Sequence, residues 1–142
     1  MLIEKVRNFI LQCPYIDESA KVNVDYLGPN AIEYTVDSVP AEEVIKRYVD
    51  GGKVKQYMFT FGSMEYYGAD ELQNIENAGF YEKVSRWLEE KTENSELPDL
   101  GNGRRAIKVE SLSNGYLFHA DEDRARYQIQ ARLVYYEKKL RR

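Results

Sequence analysis

Arg124-Ala125-Arg126-Tyr127-Gln128-Ile129-Gln130-Ala131-Arg132-Leu133-Val134-Tyr135-Tyr136 alternates more regularly than any other stretch of the chain. Ala125, Tyr127, Ile129, Ala131, Leu133 and Tyr135 share one parity, and Arg124, Arg126, Gln128, Gln130 and Arg132 share the other. Successive side chains of a strand point to opposite faces, so a period of two predicts a strand over Ala125–Tyr136 with one face on a core of helices. The opposite face carries long polar arms. Two fates are open to that row: solvation in a monomer, or pairing with the carboxylates of a neighbouring copy in a ring or tube. The second fate makes Arg124, Arg126, Gln128, Gln130 and Arg132 the candidate inter-subunit contacts.

Working back from this strand, Ile107 to Leu112 reads as a further strand, separated from it by an Asn114-Gly115 turn, a short strand at Tyr116 to Phe118 and an acidic loop. Glu93 to Arg104 is a polar loop with Pro98, Gly101 and Gly103. Asp70 to Lys91 has helical spacing, with Leu72, Ile75, Val84, Trp87 and Leu88 inward and Gly79 as a kink or break. In Lys53 to Phe61, Tyr57, Phe59 and Phe61 share one face while Val54, Gln56, Met58 and Thr60 share the other, which predicts a central strand covered in part on both sides. Gly62 to Gly68 then reads as a loop. Ala41 to Val49 is ambiguous, since its helical spacing sits between strand-like stretches. Val22, Val24 and Tyr26, then Ile32, Tyr34 and Val36, predict two strands joined by a tight loop at Gly28-Pro29-Asn30. Leu2, Val6, Phe9, Ile10 and Cys13 form the apolar stripe of a first helix ended by Pro14.

The 142 residues (16.6 kDa) suit one domain, 1–142, and 43% hydrophobic with 31% charged residues is an ordinary globular balance that argues against disorder or a membrane span. Twenty basic against twenty-four acidic residues leave a net charge of −4 and a pI near 5.2, which disfavours a dominant phosphate-binding role. One cysteine and one histidine exclude a disulfide framework and a multi-histidine metal site. The start of the chain has no signal-peptide pattern, so the expected place of synthesis and use is a reducing cytoplasm. Twelve tyrosines are the compositional oddity.

No set of residues converges on catalysis. His119, Asp121 and Asp123 alternate as metal ligands would in a strand, but His119-Ala120-Asp121-Glu122-Asp123 reads as a turn. Cys13 lies on an apolar helix stripe, where a buried inert thiol is expected rather than a nucleophile served by His119. Gly62-Ser63 with Gly68 lacks the spacing of a phosphate-cradling loop. Tyr66 and Tyr67 read as core packing rather than as a nucleobase platform, since no basic groove accompanies them. Lys138, Lys139, Arg141 and Arg142 form a short basic tail, solvated or set against an acidic partner. The expectation is a chain that is not an enzyme and that takes no cofactor and no metal.

Several stretches carry a resemblance: Tyr48-Val49-Asp50-Gly51-Gly52, Gln56-Tyr57-Met58-Phe59, Glu65-Tyr66-Tyr67-Gly68, Leu72-Gln73-Asn74-Ile75-Glu76-Asn77-Ala78-Gly79-Phe80-Tyr81-Glu82, Leu97-Pro98-Asp99-Leu100, and Gly115-Tyr116-Leu117-Phe118 with Ala125 to Gln130. Across nearly its whole length the chain resembles the tail terminator proteins of tailed bacteriophages, of the type found beside sheath and tube genes in contractile phages, prophages and phage-tail-like bacteriocins. The resemblance implies an α+β fold: a mixed, mainly antiparallel sheet with two main amphipathic helices packed on one face. It also implies a homo-hexameric ring on the head-proximal end of the tail tube, which ends tube growth and offers an attachment surface to the neck or collar. Implied partners are the tail tube protein, the sheath protein and a neck or connector protein, with DNA passing the lumen without specific binding. A carboxylate-rich lumen suits that passage by repelling phosphate. The implied location is the host cytoplasm during assembly, then the top of the tail in the particle. Alternatives are a head-tail connector of the same particle, or a small ligand-binding domain with a pocket near Tyr66, Tyr67 and His119.

Overall fold

Two 14-residue strands, β4 (Lys53–Tyr66) and β7 (Arg124–Glu137), pair antiparallel from Lys53 opposite Glu137 to Tyr66 opposite Arg124. Around them a computed structural model describes residues 2–16, 22–24, 33–66, 71–120 and 124–139, with the backbone alone for 23, 33, 65, 66, 71–78 and 124. The free side of β4 is shared end to end by β2 (Glu33–Ser38), which pairs with residues 59–64, and β3 (Val44–Arg47), which pairs with residues 53–55. The free side of β7 is shared in the same way by β5 (Arg104–Ser111) and β6 (Tyr116–Ala120). β1 (Val22–Val24) lies beyond β2, completing a seven-stranded sheet with the path β1-β2-β4-β7-β5. Among the described residues six strands are linked by antiparallel pairings and only β1 is parallel to its neighbour, so the fold is α+β with a mixed, mainly antiparallel sheet.

Helices α1 (Leu2–Ile10) and α2 (Glu71–Glu93) cover one face. The apolar parity of β7 meets them as expected: Ala125, Ile129, Ala131, Leu133 and Tyr135 are at most 1% exposed. Phe59 and Phe61 of β4, Tyr34 and Val36 of β2 and Val109 of β5 complete the sheet side of the core. From α1 come Val6, Phe9 and Ile10, and from α2 come Tyr81, Val84, Trp87 and Leu88; the helices meet where the Phe9 and Trp87 rings pack at a tilt, their centroids 5.0 Å apart. Each such buried side chain contributes about 1.5–3 kcal/mol of transfer free energy. Tyr81 is fully buried, yet its hydroxyl donates to the Tyr127 carbonyl at 2.9 Å and accepts from Ser63, so the polar atom enters the core satisfied.

Several expectations are corrected. The central strand does not stop at Phe61 but runs through Gly62 to Tyr66, because β2 and β7 pair with it on both sides and the ladder outweighs one glycine. Gly79 does not break α2, which continues through it with open space where a Cβ would stand. The two early strands form, but Val22 pairs with Tyr34 and Val24 with Val36 in parallel, an arrangement that a tight loop cannot produce. The loop read at Gly28-Pro29-Asn30, together with Tyr26 and Ile32, lies outside the described residues. In α1, Ile3 is buried while Leu2 packs at the edge of the core. β5 starts at Arg104, three residues earlier than its apolar pattern, with a bulge between Ala106 and Lys108 that leaves Ile107 exposed. The ambiguous stretch resolves as β3, where pairing with β4 overrides helical spacing.

Candidate functional site

The polar face of the sheet holds the residues singled out from the sequence, and two chains of interaction cross it. In the first, Arg126 Nη2 reaches over β4 to Asp37 Oδ2 on β2 at 2.7 Å. The path is open because Gly62 lies beneath it: a Cβ there would stand 3.5 Å from the Arg126 guanidinium and 3.3 Å from the Tyr127 carbonyl. Asp37 also accepts from the Thr35 hydroxyl at 2.7 Å, and the Arg126 guanidinium lies 5.3 Å over the Phe118 ring. In the second, Arg132 Nε donates to Glu110 Oε1 at 2.7 Å and Nη1 to Gln56 Oε1 at 3.0 Å. Lys108 pairs with the other Glu110 oxygen at 3.3 Å, and the Gln56 amide donates to the Glu42 carbonyl at 2.7 Å. One line of polar groups thus ties β5, β7 and β4 to the segment before β3.

Gln128 and Gln130 converge on the Tyr116 hydroxyl at 2.6 and 3.4 Å, and Gln128 is buried by that contact. For Arg126 and Arg132 the carboxylate partners are therefore present, but they belong to the same chain. The side chain of Arg124 lies outside the described residues; its backbone pairs opposite Tyr66. The sequence reading missed the partners Asp37, Glu110, Gln56 and Tyr116. Their own strands alternate and mark them as outward, but which outward residue meets which depends on register.

Electrostatics support the second chain. Burial pushes the Glu110 carboxyl up, but the hydrogen bonds and charges of Arg132 and Lys108 outweigh it and hold its pKa below the ordinary carboxylate value. Lys55 is the counterpart near the start of β4. Burial pushes its ammonium down, but Glu137 at 3.1 Å and Glu43 at 3.3 Å raise it above the ordinary value.

The edges of the sheet are treated differently from its face. The Thr92 hydroxyl of α2 donates to the Val109 carbonyl at 3.0 Å and accepts from the Val109 N–H at 3.1 Å, which closes the outer side of β5 at that residue. Arg7 Nε donates to the Val22 carbonyl on β1 at 2.8 Å. Exposed large apolar side chains collect along these margins: Ile45, Tyr48 and Val49 on the β3 side, and Ile107, Leu112, Leu117 and Phe118 on the β5–β6 side. Among the described residues only Leu11 and Tyr15 are comparably exposed elsewhere.

His119 lies in β6 opposite Arg126 rather than in a turn, because the β6–β7 ladder continues to Ala120 opposite Ala125. Asp121, Glu122 and Asp123, like Tyr67, Gly68, Arg141 and Arg142, lie outside the described residues, as does the Tyr66 side chain. Cys13 is buried in the core, and desolvation pushes its thiol pKa up against the lowering effect of hydrogen bonds from the Tyr15 and Ile16 backbone. Among the described residues there is no cluster of three His, Cys, Asp or Glu side chains able to hold a metal, and no helix is long and apolar enough to cross a membrane. No protein-family model matches the chain, and no curated protein matches it.

Proposed function

We propose that this chain is a structural subunit of a phage or phage-like tail, a terminator that assembles as a ring on the head-proximal end of the tail tube and stops its growth. The observation that carries this reading is the placement of exposed apolar side chains on both margins of one sheet. A subunit in a ring has a neighbour on each side, and each neighbour covers one margin. The resemblance of the quoted sequence stretches to tail terminators supplies the biological setting. The face between the margins, with its internally paired arginines, is a cross-linked polar surface in this reading. In this reading the protein works by shape and contact, with tube, sheath and neck proteins as its partners.

The test is to mix the purified chain with a candidate tail-tube protein, measure mass by light scattering, and image the tube ends. The expected result is a ring at one end of each tube and tubes that no longer elongate. Bare tube ends at both low and moderate salt would overturn the reading.

A further inference from the structure

The β3–β4 hairpin ends in Ile45-Lys46-Arg47-Tyr48-Val49, and Val49 at its tip is fully exposed. The tip is rigid. Tyr48 N–H donates to the Gly52 carbonyl at 2.8 Å, Gly51 N–H to the Tyr48 carbonyl at 3.0 Å, and Gly52 N–H to Asp50 Oδ1 at 2.8 Å. Gly51 sits at φ 92°, and the Tyr48 ring packs edge-on to Tyr136 at 6.0 Å. An ordered knob therefore presents apolar side chains and two cations to its surroundings, with Lys46 Nζ held 5.0 Å over the Tyr48 ring.

At the opposite margin, α2 and β5 enclose an open groove of about 770 Å³ floored by Tyr81 and Val109. Glu82, Glu89 and Glu93 of α2 line it with Arg86 among them, while Lys108 and Glu110 of β5 border it but pair their charged ends with each other and with Arg132 on the polar face. Glu82, Glu89 and Glu93 are exposed along one stripe of α2. The backbone of β5 offers no strand-pairing site at Val109, because Thr92 already holds both of its polar groups. A partner must enter this groove with side chains.

We propose that the β3–β4 hairpin of one copy seats in the α2–β5 groove of the next, with Tyr48 and Val49 over the floor and Lys46 and Arg47 facing Glu89 and Glu93. The inference rests on the ring reading and names its contact. Knob and groove lie on opposite margins of the sheet, so one chain cannot satisfy both and the contact runs head to tail. The occupant is a second copy because the knob carries exposed cations that complement the α2 carboxylates, and exposed apolar side chains that its own chain leaves uncovered.

Four variants of the chain test the contact, all at exposed or half-exposed positions. Lys46→Glu with Arg47→Glu, and separately Glu89→Lys with Glu93→Lys, should each reduce the light-scattering mass to that of the single 16.6 kDa chain. Combining the four substitutions in one chain should restore the assembled mass. Val49→Cys with Ser85→Cys should give an intermolecular disulfide ladder on oxidation. Unchanged urea midpoints verify that each variant is folded. Reversal variants that keep the wild-type mass, or a wild type of single-chain mass with no ladder at any soluble concentration, would overturn the contact. Tube ends are scored separately. Rings on tubes without a ladder retire this contact and keep the terminator, whereas a ladder with bare tube ends keeps the contact and retires the terminator.

Discussion

Arg126 and Asp37 stand 89 positions apart in sequence and meet at 2.7 Å across the full width of β4. Their side chains are each 23% exposed, so the pair belongs neither with solvated surface bridges nor with fully desolvated ones. Removing one partner leaves a half-buried charge uncompensated. Asp37→Asn and Arg126→Met should each lower unfolding free energy by about 1–3 kcal/mol, and the double variant should lose clearly less than the sum. Urea denaturation of the three variants checks this; additive losses would show that the two groups do not couple.

Gly62 is the reason the pair can form. A methyl at this position meets Arg126 at ordinary contact distance and crowds only the Tyr127 carbonyl, so Gly62→Ala should cost about 1 kcal/mol or less. A branched side chain would occupy the path of the guanidinium. In a Gly62→Val background, Asp37→Asn should therefore cost almost nothing further. An undiminished Asp37→Asn penalty there would mean that Arg126 reaches Asp37 by another route.

How far the fold is legible in the sequence follows from these same residues. The alternation of β7 separates core from polar face, and the stripes of α1 and the second half of α2 identify the helices that cover the core. Register is different: alternation says that Arg126, Asp37, Arg132 and Glu110 all face outward, but not that they pair, because contacts between strands depend on long-range order that similar short strands share. Local rules also lose where tertiary pairing is strong. Gly62 reads as a loop and Gly79 as a break, yet a two-sided ladder holds one in a strand and helical bonding carries through the other. The parallel pairing of β1 with β2 has no local signature, since each strand reads the same in either direction.

Stability should depend on pH at both extremes through two clusters. The Glu110 carboxyl has a lowered folded-state pKa, so its contribution is present above the unfolded value of ~4.3 and is lost as pH falls through the folded value. The Lys55 ammonium has a raised folded-state pKa, so its contribution is complete below the unfolded value of ~10.4 and is lost as pH rises through the folded value. Glu110→Gln should flatten the acid limb of the urea midpoint against pH, and Lys55→Met the alkaline limb. A crossed result, with each variant affecting the other limb, would contradict the assigned signs.

Cys13 should react only through opening of the core. Its thiol is 4% exposed and its pKa is pushed up by burial, so the thiolate is scarce and shielded. Modification by an aromatic disulfide reagent should be slow in native buffer and should accelerate with urea in step with unfolding. Rapid stoichiometric labelling of the native protein would place the thiol at a surface.

Thr92 guards the β5 margin, and its loss should have two separable effects. Its single hydroxyl both donates to and accepts from Val109, so the near-isosteric Thr92→Val leaves a backbone N–H and a carbonyl unpartnered beside the helix. The expected cost is about 1–3 kcal/mol, most of it recovered by Thr92→Ser, which keeps the hydroxyl and gives up a methyl. The second effect concerns association. With Val109 freed, the β5 edge becomes a template for strand pairing, so Thr92→Val should form sheet-rich aggregates, read by thioflavin fluorescence, at temperatures where wild type and Thr92→Ser remain clear. A destabilised Thr92→Val that stays soluble below its own melting point would mean that the hydroxyl serves the fold alone, with the bulge at Ile107 and the packing of α2 sufficient to keep the edge from pairing.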